Sequence, residues 1–187
     1  NVRAALSMAR RPVSLGRWLA WAWLAVVPTL AGAFELAGTR SLVAQTRDQQ
    51  RIVLGSVRFE PRAGGADGAV AFSVHMDHAR FSDHFLSMKE FKCVDGRVEL
   101  MCHVPYPYPQ PGTVSAADLS WLEHSLLFMV KRPSDFGAKL WNGVYFRLVV
   151  TPQGLVGTPQ AIAISNDIVI GSIVADRAQG LKMKVIA

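Results

Sequence analysis

From Arg51 onward the chain alternates. Val53, Gly55, Val57 and Phe59 fall on one side of an extended segment, with Ser56, Arg58 and Glu60 on the other, the two-residue period of a half-buried strand. A glycine-rich loop over 61–68 follows, and then Val70, Phe72, Val74 and Met76 repeat the pattern. Together they predict a β-hairpin. Residues 85–94 read as a less regular strand, and Val98, Leu100, Cys102 and Val104 as a clearer one. Val144, Phe146, Leu148 and Val150 alternate with Tyr145 and Arg147, and a turn at 151–154 leads into a strand over 155–164. Residues 168–174 and 183–186 predict final strands, while 34–50 is mixed and polar and reads as an irregular lead-in.

One segment has a different period. Leu119, Leu122, Leu126, Met129 and Val130 keep helical spacing. Ser115 and Asp118 suit the start of a helix, and Lys131, Arg132 and Pro133 suit its end. The pattern predicts one helix over 115–131. Strands this close in sequence pair antiparallel. The expected fold is therefore α+β: a mainly antiparallel β-sheet or partly open barrel of about six to eight strands packed with one helix.

The N-terminal part belongs to neither pattern. Arg10, Arg11 and Arg17 precede an uncharged apolar run over 18–30, which ends in Ala31-Gly32-Ala33. Basic, apolar and small residues in that order read as a cleavable secretory signal over 1–33, cut between Ala33 and Phe34. The apolar run falls short of the about 20 residues that span a bilayer, which disfavours an uncleaved anchor. Residues 34–187 are then a single mature domain in the periplasm or outside the cell, touching the membrane only through the signal. Charge supports the division. The chain carries 20 basic and 14 acidic residues, a net +6. Four of the arginines, and no acid, lie in 1–33, so the remainder is only +2. No nucleic-acid footprint is left on the mature part.

Cys93 and Cys102 are the two cysteines. In an exported chain such a lone pair predicts a disulfide. A tight turn at Asp95-Gly96 would set Val98 opposite Cys93, so the bridge needs a longer loop or another register. Zinc sites and redox motifs favour shorter cysteine spacings.

Two clusters are candidates for chemistry. His75, Asp77, His78 and His84, with His103 further on, are proper ligands for zinc or copper, which makes a divalent-metal site one rival reading. The commoner role of such residues is an exposed strand end. The run Pro105-Tyr106-Pro107-Tyr108-Pro109-Gln110-Pro111 is pre-ordered and aromatic, so Tyr106 and Tyr108 are candidates for a partner surface. The alternative is a stiff connector covering a sheet edge. No Gly-x-Ser-x-Gly elbow is present, no catalytic residue is assigned, and no cofactor is expected beyond that metal. A hydrolase with an unrecognised site is the second rival.

Residues 86–93 (LSMKEFKC), 102–109 (CHVPYPYP), 122–128 (LEHSLLF) and 140–145 (LWNGVY) resemble a group of uncharacterised exported proteins of Gram-negative bacteria. The resemblance covers about half of the chain. It implies the compartment and transfers no functional residue. The expectation is an exported, non-enzymatic domain that binds a partner protein or a small apolar ligand.

Overall fold

The computed structural model describes residues 34–62, 68–86, 89–132, 143–162 and 180–187. All of them lie within the compact unit Ala31–Ala187. The signal segment, including Ala31 and Ala33 of the expected cut, and the strand expected over 168–174 fall outside the described residues.

Eleven strands form one sheet among these residues, more than the six to eight expected. They are β1 (Gly38–Gln45), β2 (Arg51–Pro61), β3 (Val70–Met76), β4 (Ser82–Leu86), β5 (Lys89–Asp95), β6 (Leu100–His103), β7 (Thr113–Val114), β8 (Phe128–Lys131), β9 (Gly143–Thr151), β10 (Gly154–Ala161) and β11 (Lys182–Ile186). The order across the sheet is β4-β5-β6-β8-β9-β10-β11-β1-β2-β3-β7, and every pairing is antiparallel. The sheet stays open, with β4 and β7 as its rims.

The predicted hairpin over 51–76 is β2 and β3, but its faces change phase along β2. The β1–β2 register slips between Leu42 and Val43, which oppose Gly55 and Val53, so Leu54 is the extra residue of a bulge. Leu54, Val57 and Phe59 therefore point into the core while Val53 turns outward, 41% exposed. Gly55 sits where the chains come closest. A Cβ there would lie 2.0 Å from the carbonyl oxygen of His75.

Two expectations fail. The lead-in over 34–50 contains β1, flanked by β11 and β2, and Leu42, Val43 and Ala44 are all buried. The long helix is instead α1 (Ser120–Ser125), six residues, followed by the fully buried strand β8. A strand covered on both faces shows a continuous apolar run and no alternation, and in Leu126-Leu127-Phe128-Met129-Val130 that run coincides with helical spacing. Ser115 and Asp118 form a turn ahead of α1, with the Asp118 N–H donating to Ser115 Oγ at 3.1 Å.

Helix α1 fills a gap in the sheet. β8 pairs with β9 only at Phe128↔Val144 and Met129↔Gly143. Beyond that point α1 lies against β9, and the buried Glu123 carboxylate accepts the Leu148 N–H at 2.8 Å. A side chain thus satisfies a donor that the strand ladder leaves open. The larger of two buried clusters is shared by the sheet and α1, with Phe128 and Phe146 meeting edge to face within it, and a smaller one gathers Leu100 and Met129 around the cysteines.

The cysteines pair directly across β5 and β6, Cys93 opposite Cys102, and are joined in a disulfide. The turn between them is centred on Arg97–Val98, two residues later than the Asp-Gly signal indicates. The Gly96 N–H donates to the Glu99 carbonyl at 2.8 Å. Gly96 is needed for that approach, since a Cβ would stand 2.8 Å from the same oxygen.

This turn meets the β1–β2 turn from the far half of the sheet. Fully buried Glu99 accepts the Arg47 backbone N–H at 3.0 Å and Arg47 Nε at 2.5 Å. In return Arg97 Nε donates to Asp48 at 2.8 Å, and the Arg97 N–H donates to the Gln50 side chain at 3.2 Å. The sheet is curled until its two halves touch through this clasp.

Candidate binding cleft

The prolines at 105, 107, 109 and 111 carry no N–H, so this stretch cannot join a ladder as a regular strand. It runs as an extended link from β6 to β7. The Val104 N–H donates to the Leu127 carbonyl, and at the far end the Gly112 carbonyl accepts the Phe72 N–H, both at 2.9 Å. Tethered at both ends, the link crosses from the β6 side of the sheet to its β3–β7 rim.

Its tyrosines are ordered by ring contacts. Tyr106 stacks face to face on His124 of α1, with centroids 5.1 Å apart and planes 8° apart. Trp121 packs edge to face with His124, and Tyr108 with Tyr106. Tyr106 is half-buried, whereas Tyr108 is 68% exposed. The Gln110 amide donates to Ser125 Oγ at 3.0 Å, which fixes the link to the end of α1.

Between this link and β3 lies an open cleft of about 230 Å³. Phe72, Val74, Met76, Pro105 and Tyr106 supply its apolar wall. Ser73, His103, Gln110, Gly112 and Ser125 supply its polar wall. Among the described residues no Asp, Glu, Lys or Arg lines it. His103 Nε2 is 3.3 Å from the Ser125 carbonyl and its ring packs against Phe128. Burial holds the His103 pKa below the ordinary histidine value. The nearby His78 pushes in the same direction, and the Ser125 carbonyl opposes both.

A second cleft, of about 360 Å³, lies where the 116–120 segment faces β9. Its charged groups already have partners. Glu123 holds Leu148, with Arg147 at 3.8 Å, and Asp118 accepts hydrogen bonds from Ser120 that keep its carboxyl below the usual range.

The histidine cluster is not drawn together. His75 is exposed on β3, and Asp77 pairs with Arg80 at 2.9 Å. His78 packs edge-on against Phe81, and His84 Nε2 stands 3.8 Å from Asp95. Among the described residues no three His, Cys, Asp or Glu side chains are grouped as a metal ion requires. Of the sequence candidates, Tyr106 and His103 do line one site. The β3 wall, Gln110 and Ser125 were not singled out by sequence. Their spacing follows from strand pairing and link length, which no local motif records.

No described helix is long and apolar enough to cross a membrane. Comparison with protein-family models, curated proteins and solved structures finds no match.

Proposed function

We propose that this chain is an exported, non-catalytic binding domain, and that it binds a small, largely apolar ligand in the cleft between β3 and the Tyr106–Gln110 link. One observation carries the reading: a half-apolar, half-polar concavity whose walls come from elements tied together by hydrogen bonds at both ends of the link. Such pre-formed concave sites, mostly apolar with a few convergent polar groups, are the usual form of small-molecule sites. The volume lies below the roughly 300–1,000 Å³ of sites for drug-sized ligands, which favours a single ring. Catalysis has less support. Both cysteines are in the disulfide, and His103 reaches the Ser125 carbonyl rather than its hydroxyl.

The export part rests on the signal-like 1–33 segment, and the cross-strand disulfide agrees with it. Native mass spectrometry of protein purified from the periplasm tests both parts. The expected species starts at Phe34, is about 2 Da lighter than the reduced chain and carries or takes up a small molecule. A full-length reduced species in the cytoplasm counts against export. Purified protein that takes up nothing from a library of single-ring compounds counts against binding.

A further inference from the structure

We infer that the ligand of this cleft is an uncharged sugar ring, presented as a single unit of a glycan. The inference rests on the cleft being the binding site, and replaces the largely apolar ligand proposed above with one that has an apolar face and a hydroxylated rim. Among the described residues no acidic or basic side chain lines the cleft, which disfavours a charged ligand. An ion brought there would lose its water without gaining a counter-charge. His103 does not supply one at neutral pH, because burial disfavours its protonated form.

The lining mixes two characters: Phe72 and Tyr106 offer ring surface, extended by Val74 and Met76, and Gln110, Ser125 and His103 offer hydrogen-bonding groups to the same cleft. A neutral imidazole that donates from Nε2 to the Ser125 carbonyl keeps Nδ1 as an acceptor. The Gln110 amide, bonded to Ser125 through one N–H, keeps its second N–H and most of its oxygen's capacity. Hydroxyl groups, which both donate and accept, match such a mixed set. A pyranose has one C–H face for an aromatic wall and a rim of hydroxyls for a polar one. A purely apolar ring would cover the polar groups without pairing them, which costs affinity. The exposed Tyr108 ring lies beside Tyr106, outside the cleft lining and turned 71° from it, and offers a second aromatic contact. That second contact suits a ring within a chain better than a free monosaccharide.

The test is a proton–nitrogen NMR titration of the protein expressed from the full sequence and purified as the cell processes it. The uncharged probes are the methyl β-glycosides of glucose, galactose and N-acetylglucosamine. Glucosamine and glucuronic acid are the charged counterparts, and cyclohexanol and phenol the uncharged rings that are not sugars. The expected result is saturable shifts of the Gln110 side-chain amide and of the Tyr106, Gly112 and Ser125 resonances with at least one glycoside. Charged sugars should bind at least tenfold more weakly. Tyr106→Ala should weaken the glycoside at least tenfold, and Gln110→Ala severalfold. Because Tyr106 also supports His124, the Gln110 variant carries the test if the Tyr106 variant does not fold.

Equal binding of charged and uncharged sugars overturns the inference. So does a cleft that responds to phenol or cyclohexanol and to no glycoside, although the cleft reading then stands. If no probe shifts the cleft residues, the inference and the binding site fall together.

Discussion

Glu99 shows what one residue does in this fold. Its carboxylate is fully buried, accepts two donors from Arg47 and joins turns 52 residues apart in sequence. Glu99→Gln keeps the shape and removes the charge that Arg47 meets. Such charge-assisted bonds contribute about 1.5–3 kcal/mol, so unfolding in urea should show a loss of about 2 kcal/mol with unchanged m. Arg97→Ala removes the exposed half of the clasp and should cost less than about 1 kcal/mol. A second residue-scale expectation concerns pH. His103 has its pKa lowered by burial, so the unfolded chain takes up a proton that the folded one refuses. Its contribution to stability is fully present above about pH 6.5 and is lost as pH falls towards the folded value. Thermal midpoints between pH 7.5 and 5 should therefore fall less steeply in His103→Gln than in the natural protein. An identical slope in the two would remove His103 as the cause.

At the scale of elements, alternation located strands that have one wet face and missed those that have none. β2, β3, β9 and β11 were legible because their polar and apolar residues take turns. β8 was not, because a strand buried on both sides replaces alternation with an unbroken apolar run, and β1 was not, because its buried Leu42, Val43 and Ala44 are only three apolar residues among polar ones. The bulge at Leu54 was equally hidden. It moves Val53 out and Leu54 in, and nothing in the local sequence marks the slip except Gly55. That glycine makes the bulge testable. A methyl group at residue 55 would overlap the His75 carbonyl, and because backbone blocks it, no rotamer change gives relief. Gly55→Ala should destabilise the fold by at least about 2 kcal/mol, read from the denaturant midpoint, while Gly68→Ala, which meets no atom but keeps a left-handed φ of +66°, should cost only the backbone penalty of about 1 kcal/mol. The β4 rim carries Phe85 at 70% exposure, beside the Asp83–Lys92 ion pair. Charged neighbours on an unpaired strand hinder edge-to-edge pairing with other chains.

For the whole molecule, the sequence conveyed an antiparallel, helix-poor sheet with one disulfide, but neither the strand number nor the curl. Curling is a long-range property, fixed where the turn at 46–50 meets the turn at 95–99. The disulfide and the clasp are parts of the same assembly, since the ten-residue loop closed by Cys93 and Cys102 is the one that presents Arg97 and Glu99. Replacing both cysteines with serine should remove about 2.5–3 kcal/mol of stability through loop entropy. If the loop is also what positions Glu99, Glu99→Gln should cost less in that background than in the natural one. A double-mutant cycle reads the difference, and strict additivity would separate the two features.

The position of that disulfide has a consequence in time. The join between the two halves of the sheet spans about fifty residues of chain, and contacts so distant in sequence form slowly because their loop must close before they yield anything. While the thiols are reduced, the Gly96–Glu99 turn is a floppier docking partner and this late step is handicapped further. Oxidation therefore acts as a clock. Under the export proposed above, a newly made chain with reduced thiols is easier to thread in extended form, and gains the full stability of its fold where thiols are oxidised.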